Sequence, residues 1–189
     1  EGPLAGRTLG ELWRGPDRER LFGSRTAATG APRFPLLVKL LDCEATLSVQ
    51  VHPPPGIAAQ LGGEPKTESW VVVEADPGAA LLAGLRRGVG RERFEAALRA
   101  GEDVSQLLHR IEVVPGDAML LPSGRVHAIG AGNLLVEIQQ NSDTTYRVYD
   151  FGRDRELHVD ESLRSIHFDD HEPQLAQPDG ETLVRTPHF

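Results

Sequence analysis

Two residues in the stretch Leu47-Ser48-Val49-Gln50-Val51-His52 are spaced to do coordination chemistry together. Apolar and polar residues alternate along it, the period of a strand with one buried face. Leu47, Val49 and Val51 take that face, and Ser48, Gln50 and His52 take the other. Gln50 and His52 can then aim an amide oxygen and an imidazole nitrogen at one point, which is half of a metal site. Pro53-Pro54-Pro55-Gly56 follows at once, and proline stops a ladder because it has no N–H to donate.

The elements that must hold such a site are mostly strands. The chain has 189 residues, with 20 glycines and 14 prolines set between many short apolar runs, a pattern of strands and turns. Its length suits one domain, or one and a fragment. A net charge of −8 argues against nucleic acid as the main partner. It also means that an anionic small substrate needs a local cationic pocket. The single cysteine, Cys43, gives neither an internal disulfide framework nor a cysteine-based zinc site. No apolar run approaches the ~20 residues of a membrane span, and no signal-peptide pattern is visible. The expectation is a cytoplasmic protein with no membrane partner.

In chain order, short helices are expected at Leu9–Trp13 and Arg18–Phe22. Phe34–Leu41 reads as a buried strand, in which Lys39 either snorkels outward or faces a polar cavity. Ile57–Leu61 gives one helical turn before Gly62-Gly63, and Lys66–Glu74 and Ala80–Leu85 are strands. Arg91–Ala100 and Val104–Leu108 have helical spacing and form a small helical insertion. Ile111–Ile129 is a strand–turn–strand–turn–strand series, followed by strands at Leu134–Ile138 and Thr145–Tyr149. An amphipathic segment, Glu156–Ile166, leads into Asp169–Asp179, whose acidic, proline-bearing composition reads as a linker. Thr182–Phe189 looks like a strand just beginning.

Short strands, the Pro115-Gly116-Asp117 turn and a histidine, His127, just after Pro122-Ser123-Gly124 are the signature of a mainly β, cupin-type double-stranded jelly roll. The wording goes further. Pro35-Leu36-Leu37-Val38-Lys39, the Leu47–Pro53 stretch, Lys66-Thr67-Glu68-Ser69-Trp70 and Val113–Asp117 appear in order. Pro122–Gly130 and Glu137–Asp150 follow. This series, covering roughly residues 2–168, closely resembles type I phosphomannose isomerase in its compact bacterial or archaeal form. The resemblance implies a zinc enzyme, with one Zn2+ per chain, that interconverts mannose 6-phosphate and fructose 6-phosphate through a cis-enediol.

Carried onto this chain, the resemblance makes Gln50, His52, Glu68 and His127 the metal ligands. Two imidazoles, a carboxylate and a neutral amide suit a borderline divalent cation and leave positions open. Arg147 would face the developing enediolate, Glu137 is a candidate base, and Lys66 sits two residues before Glu68 on the same strand face. Ser48, Lys39 and Arg153 are the candidates for the substrate phosphate. His109, His158, His167, His171 and His188 match no ligand motif and read as surface or linker residues.

Relatives of this kind usually carry a strand segment before residue 1 and a second jelly roll beginning near residue 182. The expected organisation is therefore a catalytic cupin domain over residues 1–168, with 169–189 as linker and the start of a further domain. Two other readings compete. One is a non-catalytic metal cupin that binds a phosphosugar. The other, a metal-dependent cupin oxygenase, fits less well, because glutamine is a poor ligand for redox iron.

Overall fold

A computed structural model describes residues 2–28, 30–177, 184 and 186. It divides into two compact units, residues 1–37 and 38–189. In the first unit, α1 (Leu9–Arg14) starts at Thr8, whose hydroxyl accepts from Glu11 N while the Glu11 carboxylate accepts from Thr8 N. This reciprocal cap satisfies two donors that the first helical turn leaves unpaired. After it come α2 (Arg18–Phe22) and α3 (Ser24–Ala27). Trp13 is buried edge-on against Phe22 and Phe34, with the Arg18 guanidinium 3.6 Å from its ring centre.

The second unit is a sandwich of two sheets. One has the strand order β1 (Leu36–Cys43), β8 (Asn133–Gln140), β3 (Glu68–Ala75), β6 (Ala118–Leu121). The other has the order β5 (Leu108–Glu112), β4 (Ala80–Leu85), β7 (His127–Ile129), β2 (Val49–Val51), β9 (Tyr146–Tyr149). Strand β3 runs antiparallel to β6 and β8, and β7 antiparallel to β4 and β2. Small helices α4 (Pro55–Ala58), α5 (Arg91–Arg99) and α6 (Val159–Ser165) join the strands. The mainly β jelly roll with a small helical insertion is what the sequence predicts.

Two cores result. Trp70, Val72, Met119, Leu121 and Leu135 of the first sheet meet Leu81, Ala83 and Ile129 of the second between the sheets. On the far side of the five-stranded sheet, Val49, Val51, Ala128 and Val148 pack with Phe94, Ala97 and Leu98 of α5 and Leu163 of α6. Both faces of β2 are therefore covered. Leu47 packs with the inter-sheet core and not beside Val49 and Val51. The pairing of β2 with β9 shifts register between Val49 and Gln50, which breaks the simple alternation.

Three further expectations change. The strand read as buried over Phe34–Leu41 is an edge strand, and Val38 and Leu40 are 60% and 66% exposed, with no described residue burying them. The second helical stretch is only a 3₁₀ turn, Val104–Leu107, after which Leu108 opens β5. The described part of the expected linker is hydrogen-bonded to the body: Leu85 N donates to Asp170 O, Glu172 N to Leu85 O, and Ala176 N to Ala118 O. The strand expected over Thr182–Phe189 lies outside the described residues, 184 and 186 apart.

Candidate metal centre

Glu68 opens β3, His127 opens β7 and His52 directly follows β2, so all three stand where a strand meets a turn. Each is about 1% exposed. Their ligating atoms lie within 4.8 Å of one another. His52 Nε2 is 3.3 Å from Glu68 Oε1, and His127 Nε2 is 3.6 Å from Glu68 Oε2.

The imidazole tautomers follow from their outer partners. His52 Nδ1 lies 2.9 Å from the Thr144 carbonyl oxygen and His127 Nδ1 lies 2.9 Å from that of Arg125. A carbonyl can only accept, so each Nδ1 carries a proton, and in the neutral ring Nε2 is then the nitrogen that presents a lone pair. Burial pushes the His127 imidazole down to about 3, and the neighbouring His52 charge pushes the same way. The ring is neutral at pH 7, the form that binds a cation. Burial alone would raise the Glu68 carboxyl, but the positive charges around it, of which the Lys66 ammonium remains when the imidazoles are neutral, hold it below the usual carboxylate range.

Within this cluster His52 Nε2, His127 Nε2 and Glu68 Oε2 are buried without a hydrogen-bond partner. Orphaned buried polar atoms are rare and costly. Three converging acceptor atoms, two nitrogen and one oxygen, share their deficit with no protein donor. A divalent cation is what such a set fits. Lys66, itself buried, places Nζ 2.7 Å from Glu68 Oε1, which leaves Oε2 as the free ligand oxygen.

One turn gathers the three. Gly124 N donates to His52 O, Ser123 Oγ accepts from Lys66 N, and Arg125 O accepts from His127 Nδ1. The conformation belongs to glycine: Gly124 has φ +95°, and a Cβ there would come within 2.6 Å of the His167 ring.

Across the five-stranded sheet, Ala83, His127, Gln50 and Arg147 occupy one row of register partners. Partners in antiparallel strands share a face, so Gln50 and Arg147 stand on the His127 side. Arg147 gives NH1 to Glu156 O at 2.8 Å, and its Nε is buried without a partner. On the facing sheet, Glu68, Trp70, Glu137 and Gln139 share the inner face, with Glu68 opposite Gln139 and Trp70 opposite Glu137. Glu137 accepts from Lys39 Nζ at 2.7 Å and from Trp70 Nε1 at 3.0 Å, and Lys39 also donates to Gln139. Lys39 thus faces a polar cluster while remaining 37% exposed. Trp70 stands edge-on to His127, 5.3 Å between ring centres.

Ser48 is buried one residue before β2. The donors of Arg153 are engaged elsewhere: Nε and NH2 on the Asp150 carboxylate, NH1 on Thr46 O. Arg155 holds the same carboxylate. A cavity of about 630 Å3 at Leu82, Arg86, Leu108 and His109 touches none of the candidate residues. Of the histidines read as surface or linker residues, His158 is half-buried with Nδ1 accepting from Arg147 N, and His167 is exposed with its ring over Gly124. Sequence reasoning missed Gln139, although it alternates with Glu137 along β8 and so shares its face.

No family model matches the chain. It is 43% identical over 169 residues to a mannose-6-phosphate isomerase of Streptococcus mutans, covering 86% of this chain and 51% of that protein. The crystal structure of the Bacillus subtilis mannose 6-phosphate isomerase superposes with TM-score 0.83 at 33% identity, over 100% of this chain and 62% of that one. A zinc-bound mannose 6-phosphate isomerase shares the fold with TM-score 0.62 at 17% identity, over 87% of this chain and 61% of that one. The chain spans about half the length of the curated relatives it matches. With its fold and its converging His-Glu-His donors, the chain is similar over most of its length to about half of a bacterial mannose-6-phosphate isomerase.

Proposed function

We propose that His52, Glu68, His127 and Gln50 hold one zinc ion, and that the site interconverts mannose 6-phosphate and fructose 6-phosphate through a cis-enediol. The observation that carries this reading is the convergence of three buried, unpartnered ligand atoms. Bound there, the cation supplies Lewis acidity toward the oxygens on C1 and C2 of the sugar.

The chain's own groups do the rest. Isomerisation moves one proton between C2 and C1 and a second between the oxygens on those carbons, so a base and a charge stabiliser are needed. Arg147 has an unpaired buried Nε on the His127 side of its sheet and serves the enediolate oxygens. Glu137, hydrogen-bonded by Lys39 and Trp70, takes the proton when substrate displaces one of those partners. Lys66 fixes Glu68 and orients a substrate hydroxyl. Lys39, whose ammonium keeps one donor beyond those given to Glu137 and Gln139, binds the phosphate with Ser48. We assign Arg153 to the Asp150 clamp instead, because its donors are already used there. We also extend the catalytic domain past residue 168 to residue 177, since that segment is hydrogen-bonded to the sheets.

The test is zinc content measured alongside a coupled assay for fructose 6-phosphate. One zinc per chain with activity that a chelator abolishes is the expected result. Isomerisation that survives complete metal removal contradicts it. Stoichiometric zinc with no turnover leaves the metal-binding, non-catalytic reading.

A further inference from the structure

The segment from His167 to Ala176, most of which lies in the expected linker Asp169–Asp179, is a strap across the turn that gathers the metal ligands. His171 bridges to Leu85 in parallel, Glu172 N donates to Leu85 O, and Asp170 O accepts from Leu85 N. The strap passes so close that a Cβ on Gly84, at φ +64°, would lie 2.6 Å from Pro173 Cδ. At its start His167 N donates to Gly124 O. Its one strong side-chain contact with the turn is a fork. Arg125 Nε and NH2 donate to the two oxygens of Asp170 at 2.7 and 2.9 Å, and NH1 donates to Leu120 O at 2.7 Å.

We propose that Asp170 is a positioning residue for the metal site, acting through Arg125 on His127; this rests on the zinc reading above. Arg125 is tied at both ends of its residue. Its carbonyl oxygen accepts a hydrogen bond from His127 Nδ1 and so sets that ring's direction. Its guanidinium is fixed by two donors to one carboxylate, a contact with a defined plane that a single point charge lacks. The pair is mostly buried, with side chains 15% and 19% exposed, so solvent screening does not erase it as it does at an open surface. Asp170 is held independently of Arg125, through its own backbone oxygen on Leu85 N. The strap therefore supplies a rigid acceptor, and the order of contact runs strap, guanidinium, carbonyl, imidazole, metal. Outer partners of this kind affect metal affinity although they touch no metal.

Zinc affinity is measured on the full chain by competition with a chromophoric chelator, together with the visible spectrum of the cobalt(II) form and the melting temperature of the metal-free protein. Asp170→Ala should weaken zinc binding by about 10–100-fold and alter the cobalt bands. Arg125→Ala should lose a similar amount, and the double variant little more than the larger single, because both cut the same link. Asp170→Glu should recover part of the loss. His171→Ala removes only strap contacts to the Asp169 and Val89 carbonyls and should bind zinc as the wild type does. If Asp170→Ala does not fold, Asp170→Asn carries the same readout with a smaller loss. Wild-type affinity and an unchanged cobalt spectrum in the Asp170 variants, with only the melting temperature lowered, overturn the proposal and leave the zinc reading intact. A wild-type chain that binds no zinc overturns both.

Discussion

The space between the two sheets has two ends built from the same strands by the same alternation, and they differ in every chemical respect. Along β3, Glu68 is followed on the inner face by Trp70 and then Val72; along β8, Gln139 and Glu137 are followed by Leu135. At the apolar end Leu81, Ile129, Met119 and Leu135 fill the space. At the other end the same depth of burial encloses His52, Glu68, His127, Glu137, Gln139 and Lys66. The first end lowers the free energy of the folded chain by removing apolar surface from water. The second raises it, through desolvated charges and three unpartnered atoms. Two residues along a strand separate a stabilising layer from a reactive one, and Trp70 joins them, its body in the apolar core, its ring edge-on to His127 and its N–H on Glu137.

That contrast makes the two ends separable by mutation. The largest effect belongs to the polar end: His127→Ala should abolish both stoichiometric zinc binding and isomerase activity, measured by elemental analysis and the coupled assay. Gln50→Ala should weaken binding less, because a neutral amide is the poorest donor of the four. Next comes Arg147→Ala, which should retain zinc and fold but turn over roughly 10²–10³-fold more slowly, the usual loss for one preorganised donor to a developing oxyanion. Arg147→Lys should restore only part of it, since an ammonium lacks the planar pair of donors. In the apolar end, Leu81→Ala should cost about 2–5 kcal/mol of stability in denaturant unfolding, with zinc affinity of the remaining folded protein unchanged. A large drop in affinity there would mean that the two ends are one cooperative unit.

The smallest effect lies outside both ends, at Asp150. Hydrogen bonding from Arg155 holds its carboxyl below the ordinary value, against the opposing effect of burial, and Arg153 adds to the lowering. A depressed carboxyl stabilises the fold above its unfolded value of about 3.9, and that contribution fades as pH falls through the folded value. Asp150→Asn should therefore be less stable than wild type near pH 6, on the order of 1 kcal/mol. The difference should shrink toward zero as pH falls through the lowered folded value, as read from urea midpoints at each pH.

Much of the site was legible because it is written in residue types at strand spacing. Gln50 and His52 follow from alternation, and Glu68 and His127 from the ordered motifs that surround them. What the sequence hides is mostly backbone. The acceptors that fix the two imidazoles are carbonyl oxygens of Thr144 and Arg125, which any residue would supply. Asp170 reads as part of an acidic linker because its counter-charge, Arg125, lies far away in the chain. The apolar run at β1 reads as buried, yet Val38 and Leu40 are exposed because hydrophobicity does not say whether another layer covers the strand. Arg153 matched a phosphate-binding role by type, and only the coordinates show its fork closed on Asp150.

The central claim is that three buried, unpartnered atoms are ligands to one cation. The most direct measurement is a crystal structure of the zinc-soaked protein with anomalous data at the zinc edge. A single anomalous peak per chain is expected within the His-Glu-His cluster, about 2.0–2.2 Å from His52 Nε2, His127 Nε2 and a Glu68 oxygen. No peak at that position in fully soaked crystals, or rings turned to present Nδ1 instead, would contradict it.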